Sequence, residues 1–194
     1  MLNKKIVLAA IASSLFVAGN ASAAVDGAYV GVKLGEGHIN RVTSNVNYKQ
    51  NGFAQAIDLG YQINKNFAAE AGYTHFANKS FTGFDKSNNP ANFTDKNYAI
   101  SLVAKGILPL QNGFSLFGTA GAAYVHETSK GTDNSVGFNN TATRVMPTVG
   151  LGASYDINTN LSTDLSWSHI QKISSKSAIH NSDFFGLGLA YHFG

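Results

Sequence analysis

The sequence predicts an all-β fold, an eight-stranded antiparallel up-and-down barrel that spans a membrane. Eight segments carry apolar residues at every second position, which gives a strand one apolar face and one small or polar face. Their connections alternate between long polar segments and short turns, as in membrane barrels. The acidic and basic residues of these strands are expected on inward positions only. A soluble barrel would place its charges outside, so the pattern favours a barrel with a lipid-facing wall.

The last strand, 183–193, shows the alternation most clearly. Every second position from Phe185 to Phe193 is apolar, whereas the positions between them, from Gly186 to His192, are small or polar. The first strand, 28–35, alternates in the same way. Strands are predicted in chain order at 28–35, 53–61, 67–76, 98–108, 114–126, 143–155, 161–170 and 183–193. The sequence therefore supplies eight strands, the number of the smallest membrane barrels.

Short turns are predicted at 64–66, 109–113 and 156–160, where Asn, Gly and Pro favour tight reversals. Four long polar segments, 36–51, 77–94, 127–142 and 171–182, are predicted to be surface loops. Outward aromatic residues lie near both ends of the strands, for example Tyr61 beside a short turn and Trp167 toward a long loop. Two such girdles are typical of the two membrane interfaces.

The N-terminal segment predicts export. Lys4 and Lys5 precede an apolar run at 6–18, and Ala23 ends a small-x-small cleavage motif. The run is shorter than the roughly 20 residues of a membrane-spanning helix. We therefore expect a cleaved signal peptide at 1–23 and a barrel domain at 24–194. An exported barrel of this kind is expected in the outer membrane of a Gram-negative bacterium.

Composition excludes several other classes of function. Charged residues make up 13% of the chain, about half the usual share of a soluble domain. Cysteine is absent, so neither a disulfide framework nor thiol chemistry is available. Without Lys4 and Lys5, 12 basic residues stand against 11 acidic ones, which gives a net charge near +1. This balance gives no reason to expect a nucleic-acid partner.

Inward charges predict a polar network in the lumen. Its members are Lys33, Asp58, Glu70, Lys105 and Asp164. A tight turn at 64–66 would place Asp58 directly opposite Glu70, and like charges in that position need a cation between them. Lys105 is the expected bridge and Lys33 a second candidate. Because an eight-stranded barrel is just wide enough for side chains to fill, the network is interpreted as a plug, either structural or gating.

The histidines are candidates for catalysis and for metal binding. His169 is predicted on the outer face near the surface side, a position that resembles that of the catalytic His in PagL-type lipid A deacylases. Gln171 stands where that family has a Ser, so no catalytic residue is predicted. His38, His126, His169 and His180 all lie near the long loops, but their spacing matches no known metal-site pattern. No metal and no cofactor are therefore expected.

Three runs carry a family resemblance: Lys-Gly-Ile-Leu-Pro-Leu at 105–110, Phe-Ser-Leu-Phe-Gly at 114–118, and Ala-Tyr-His-Phe-Gly at 190–194. They resemble the OmpA/OmpX-type family of small eight-stranded outer-membrane barrels. The resemblance implies that the barrel-assembly machinery reads the last strand, with Phe193 and Tyr191 as its signal. OmpA carries a peptidoglycan-binding domain after its barrel, and none is expected here, because the chain ends after the eighth strand.

The most economical interpretation is a non-enzymatic outer-membrane barrel with a structural or surface-interaction role. Expected partners are outer-membrane lipid and lipopolysaccharide, the assembly machinery, and host or surface ligands of the loops 36–51, 77–94, 127–142 and 171–182. The main alternative is a narrow pore for small or hydrophobic solutes, like OmpW-type barrels. A lipid A-modifying enzyme like PagL is less favoured.

Overall fold

The computed structural model describes residues 27–43, 46–84, 90–133, 136–172 and 181–193. Eight strands form a closed barrel in which each strand pairs with the next and the last pairs with the first, all antiparallel. They are β1 (Gly27–Thr43), β2 (Val46–Asn64), β3 (Phe67–Phe84), β4 (Pro90–Pro109), β5 (Phe114–Asp133), β6 (Val136–Asp156), β7 (Leu161–Ile170) and β8 (Asn181–His192). The predicted all-β fold is confirmed.

Some predictions fall on residues that the structure does not describe. The signal peptide at 1–23 and its cleavage site at Ala23 lie outside the described residues, as does Gly194. None of the described segments is a helix long and apolar enough to cross a membrane.

Solvent exposure alternates along the strands as the apolar pattern predicts. On β2, Ile57 and Leu59 are 53% and 62% exposed, whereas Ala56 and Asp58 between them are 5% and 8% exposed. The exposed set is aliphatic and aromatic and forms the outer wall, while the buried set points into the lumen. The predicted inward and outward faces are confirmed in these strands.

Asp183 corrects the prediction that outward positions carry no charge. It lies at the start of β8 on the face of Phe185 and Tyr191, because even numbers of residues separate the three. Glu36 likewise shares the outer face of Leu34 on β1. Both acids lie toward the long-hairpin end of the barrel. A charge is tolerated there because its cost on the lipid face falls toward the interface.

The strands are longer than the alternation indicated at one end of the barrel. Strands β1 to β6 have 17 to 21 residues, whereas β7 and β8 have 10 and 12. The described parts of the predicted loops 36–51, 77–94 and 127–142 are therefore strand, and that part of the prediction is wrong. Alternation disappears where both faces of a hairpin meet water, although its backbone groups still pair. Of the predicted loop 171–182, residues 171–172 have no regular structure and 181–182 begin β8.

The register of β2 and β3 differs from the prediction. Asn64 pairs with Phe67, and a bulge follows between Gln62 and Asn64. The Asn64 side-chain oxygen accepts hydrogen bonds from the backbone N–H groups of Asn66 and Phe67 at 2.8 and 3.0 Å, which makes the turn tighter than expected. As a result Asp58 lies opposite Gly72 and not opposite Glu70. The shift spans two residues, so every side chain keeps its predicted face.

Closure of the barrel brings distant positions together. Starting from Lys33 and following the paired residues across β2, β3, β4 and β5, one arrives at Arg144 on β6. Following the pairs in the other direction, across β8 and β7, one arrives at Ser154 on β6. Arg144 and Ser154 are ten residues apart, and this offset is the stagger with which the barrel closes. This stagger tilts the strands and sets the width of the lumen.

Two layers of side chains line the lumen. Ionisable residues lie in the half near the short turns. An apolar layer lies toward the long hairpins and consists of Ala54, Ala56, Phe76, Ala99, Ala123, Val125, Met146, Ile170 and Phe184. On β3, for example, Phe76 of the apolar layer lies six residues beyond Glu70. These two groups are the polar network and the apolar layer.

Candidate functional site

The structure brings the five predicted inward charges together in the polar network. The Lys33 ammonium is at its centre, with Nζ 2.8 Å from Asp58 Oδ2. The same atom lies 3.9 Å from Glu70 Oε1 and 3.9 Å from Asp164 Oδ1. These side chains are only 8–13% exposed, so water screens the attraction little. One lysine therefore balances carboxylates from three different strands.

Glu70 has the most partners in the network. Its Oε2 accepts a hydrogen bond from the Tyr29 hydroxyl at 2.7 Å and another from the Lys105 ammonium at 3.2 Å. Lys105 also lies 4.3 Å from the centre of the Phe117 ring and 5.5 Å from that of Tyr29. Aromatic faces attract a cation, so Lys105 is held on more than one side.

Lys33, rather than Lys105, bridges the acids. The prediction assigned Lys105 this role because it assumed that Asp58 faces Glu70 across the short turn. In the observed register Lys33 reaches Asp58 and Glu70 together, whereas the salt bridge of Lys105 is to Glu70. A lysine on β1 can do this because the curved wall directs side chains of neighbouring strands toward one axis.

Asp164 is the most loosely held acid of the network. Its Oδ1 is buried, lies 3.9 Å from Lys33 Nζ and accepts no hydrogen bond from a described group. Gly188, its register partner on β8, leaves the space in which Asp164 and Lys33 lie, since a Cβ there would collide with both side chains. The network as a whole has three carboxyl side chains and two lysines, so the acids outnumber the lysines by one.

The apolar layer was missed as a functional feature of the sequence. Met146 is 1% exposed, and Phe76 and Phe184 are each 5% exposed. All three occupy inward positions of their strands, so the alternation pointed to them. Only barrel closure shows that they meet one another, because they lie on three separate strands. A hydrophobic constriction opposes ion passage by excluding water, independently of any charge.

His192 and Ser162 lie beside Tyr29 at the end of the lumen near the short turns. The Tyr29 and His192 rings lie 5.1 Å apart, and the Ser162 hydroxyl is 3.2 Å from His192 Nε2. Tyr29 therefore links this end of the lumen to Glu70. The alternation of the first strand places Tyr29 on the same inward face as Lys33, but the predicted polar network did not include it.

A second polar cluster lies on the outer wall near the long-hairpin end. His169 Nδ1 is 2.9 Å from Asp183 Oδ1, and Trp167 Nε1 donates to the same oxygen at 3.1 Å. The Trp167 and His169 rings stack with their centres 5.9 Å apart. Asp183 fixes the orientation of both rings at the level of the outer aromatic girdle. A local signal for this cluster is present in the sequence, because Asp183 has the same parity as Phe185 and therefore lies on the outer face.

The histidines considered for metal binding do not converge in the described residues. His126 is held by Thr143 at 2.9 Å and stacks on Tyr98, with ring centres 4.9 Å apart. His38 lies 3.9 Å from Glu36. Within the described part of the chain, no group of three or more His, Asp or Glu side chains is arranged to hold a metal ion. His180 lies outside the described residues.

The two predicted assembly residues lie on the outer wall beside the short turns. Tyr191 and Phe193 are 47% and 64% exposed, and their rings meet edge to face with centres 5.1 Å apart. The backbone N–H of Phe193 donates to the Ala28 carbonyl at 2.9 Å, which extends the seam between β8 and β1. An exposed aromatic pair at this seam is accessible from the lipid side.

Sequence comparison finds related outer-membrane proteins. A family model described as the OmpA-like transmembrane domain matches residues 23–194. The chain is 27% identical to a protein of Coxiella burnetii, over 98% of this chain and 99% of that protein. It is 28% identical to outer membrane protein P5 of Haemophilus influenzae, over 94% of this chain. It spans 60% of the length of P5.

Structure comparison finds the same barrel. Neisserial surface protein A superimposes with a TM-score of 0.60 at 19% identity, covering 86% of this chain and 97% of that one. At 19% sequence identity, this similarity shows a shared fold only.

Proposed function

Because this chain belongs to the family of the OmpA-like transmembrane domain and is an outer-membrane β-barrel of a Gram-negative bacterium, we propose that it acts as a closed, non-enzymatic scaffold. In this role the barrel anchors β-hairpins that meet partners outside the cell. The arrangement of side chains in the lumen is the observation that supports the proposal. The polar network and the apolar layer occupy successive levels of an eight-stranded barrel, whose interior is of a size that side chains can fill.

The long strands support a surface role. About 9–11 residues are enough for a tilted strand to cross a membrane, and β1 to β6 exceed this by several residues each. The excess lies at the long-hairpin end. There β3, β4, β5 and β6 continue to pair with one another, for example Phe81 with Phe93 and Gly131 with Phe138. Loops and hairpins carried by a rigid scaffold are where binding usually evolves.

One edge of this projecting sheet is open in the described part of the chain. Pairing of β6 with β7 ends at Thr148 and Ile170, whereas β6 continues to Val136 with β5 as its partner. An unpaired strand edge can accept an extended peptide by backbone hydrogen bonds. The edge therefore supports a protein partner for the hairpins.

Conductance of the refolded protein in a planar bilayer tests the closed lumen. We expect the wild type to be silent, and Lys105→Met alone to be silent as well, because the apolar layer still excludes water. Lys105→Met combined with Phe184→Ser is expected to conduct, since it weakens both layers. Phe185→Leu on the outer wall serves as the control. Steady conductance of the wild type would overturn the scaffold proposal and favour a narrow pore.

Surface display is tested separately with epitope insertions. A tag placed between β5 and β6 is expected to bind antibody on intact cells. The same tag in the short turn between β6 and β7 is expected to bind only after the outer membrane is permeabilised. The reverse result would contradict the proposed orientation.

The enzyme alternative depends on His169. Asp183 orients its ring, but a hydrolase of this type also needs a nucleophile, and geometry decides such a role. Ser168 lies on an inward position, and Ser174, Ser175 and Ser177 lie outside the described residues. We expect no release of fatty acid from lipid A by the refolded protein, with His169→Phe as the comparison. Release that depends on His169 would contradict the non-enzymatic proposal.

A further inference from the structure

Strand β6 has an unpaired edge beyond the level at which β7 ends. Its pairing with β7 stops at Thr148 and Ile170, and just past β7 the Gln171 N–H donates to the Pro147 carbonyl at 2.9 Å. In the described part of the chain, residues 136–146 pair with β5 on one side only. These residues are the open edge. An extended segment can add to such an edge by backbone hydrogen bonds.

Alternate residues of β6 direct their backbone groups toward the open edge. The Pro147 carbonyl bonds Gln171 on the β7 side. The Asp156 N–H bonds the Gly113 carbonyl on the β5 side at 2.9 Å. In an antiparallel ladder the N–H and C=O of one residue point to the same side, and the side alternates along the strand. Odd-numbered residues such as Thr141 therefore present an N–H and a C=O to the open edge.

The side chains of the open edge define what can lie beside it. Arg144 is the one charged residue at 136–146, and it is exposed. It shares the inward face of β6 with Ala142, which packs against the apolar layer. Val145 lies on the outward face and is 58% exposed. The edge therefore offers a single cation with an apolar residue on either side of it.

The charges around the open edge favour an acidic occupant. By register the nearest acid on the neighbouring strand is Glu127, which is only 6% exposed. Lys130 on β5 is exposed, and Lys172 is partly exposed beside the lower end of the edge. Asp133 lies at the far tip of the hairpin. A carboxylate brought to the edge therefore meets complementary charge at Arg144.

A second copy of the chain fits the open edge less well. Its own edge has no acid to place beside Arg144. Two copies in one membrane also run β6 in the same direction, so their edges would pair in the parallel arrangement, which is less stable per residue. A segment of another protein can run antiparallel to β6 and can carry the missing acid.

We infer that the open edge binds an extended protein segment that runs antiparallel to β6 and places an acidic residue opposite Arg144. The residue before the acid then lies opposite Val145, and the second residue after it lies opposite Ala142. The segment therefore follows the order apolar, acidic, any, apolar.

This inference rests on the proposed surface role of the hairpins. Conductance and epitope display are both measured without a peptide. A closed and displayed barrel can therefore be found even where the edge binds nothing, so the two proposals fail separately.

Fluorescence anisotropy of a labelled peptide tests the inference. The refolded full chain is held in phosphatidylcholine nanodiscs. The probe is the peptide Thr-Val-Glu-Thr-Val-Thr-Ser, compared with the same peptide carrying Lys in place of Glu. We expect the Glu peptide to bind about fivefold more tightly, as for an opposite-charge cross-strand pair. Equal affinities, or no binding of either peptide, would overturn the inference.

Charge reversal locates the recognition. Arg144→Glu should reverse the preference, so that the Lys peptide binds about fivefold more tightly. Lys65→Glu makes the same change of net charge at an exposed position in a short turn and should preserve the wild-type preference. A reversal in Lys65→Glu, or none in Arg144→Glu, would exclude the open edge as the site.

Backbone pairing is tested at Thr141. Thr141→Pro removes an N–H that faces the open edge, and a sheet edge tolerates proline. We expect affinity for the Glu peptide to fall about tenfold, whereas Thr141→Val keeps the N–H and should bind like the wild type. Unchanged affinity in Thr141→Pro would overturn the inference. A wild-type dimer that dissociates in Thr141→Pro would also overturn it, because the edge would then belong to a second copy. Slow gel migration before heating verifies that each variant is folded.

Discussion

Replacing Lys33 by Met is the most informative perturbation of the polar network. Met has nearly the length of Lys, so packing is kept while the positive charge is lost. The change leaves Asp58, Glu70 and Asp164 without the ammonium that lies 2.8, 3.9 and 3.9 Å from them. Removing one partner of a buried ion pair costs about 3–5 kcal/mol, because a desolvated charge is left behind. We expect the free energy of unfolding to fall by that amount.

Lys105→Met is the matched comparison. Lys105 forms its salt bridge with Glu70 at 3.2 Å, and Glu70 keeps both the Tyr29 hydroxyl at 2.7 Å and Lys33 at 3.9 Å after the change. The expected loss is that of one charged hydrogen bond, about 1.5–3 kcal/mol. The double variant Lys33→Met with Asp58→Asn should recover part of the stability, since it removes the closest acid as well.

Reversible urea unfolding in lipid vesicles measures these differences, with the free energy extrapolated to water. If Lys33→Met costs less than Lys105→Met, or if the double variant is no more stable than Lys33→Met alone, the central position of Lys33 is refuted. Unchanged slopes of the urea dependence would show that the unfolding reaction itself is the same in all variants.

Three more predictions concern other parts of the barrel. Gly188→Ala should cost about 1–3 kcal/mol in the same titration, because its Cβ collides with the network, whereas Gly31→Ala meets ordinary contacts at 3.6 Å and should cost little; equal costs would contradict the close packing. Asp183→Ala removes the acceptor of two ring N–H groups, but at an interface open to water this should cost below about 1 kcal/mol while changing the tryptophan emission; an unchanged emission spectrum would show that the contact is absent in the membrane. Phe193→Ala should reduce assembly into the outer membrane of cells without preventing refolding in vesicles, since its ring is 64% exposed and packs little; normal assembly, judged from heat-modifiable protein in isolated outer membranes, would remove its role as a signal.

Much of the fold could be predicted because its main signal is local. The start of β3 at Phe67, the start of β5 at Phe114 and both ends of β7 agree with the sequence prediction. At these ends a turn meets a strand with one lipid face, and the alternation is strong. At the opposite ends of β1 to β6 it fades, because a hairpin in water has no face that must be apolar. Strand length at that end could not be inferred from periodicity.

The polar network, like the fold, could be predicted only in part from the sequence. Parity in the sequence predicts the inward direction of three side chains, those of Lys33, Asp58 and Glu70. Parity does not predict that Lys33 bridges the acids. This contact depends on the bulge beside Asn64 and on the stagger with which the barrel closes. The apolar layer shows the same limit, since Phe76, Met146 and Phe184 are adjacent only after closure.

The face of the strand residues in the membrane wall follows from the sequence alone, and with it the barrel fold. Two-residue periodicity is a property of the extended chain and needs no knowledge of neighbouring strands. The folded barrel was needed to show which side chains meet, at which level of the lumen they lie, and where a strand edge is open. These depend on register and closure, which join residues far apart in the chain and are fixed by the packing of all eight strands together.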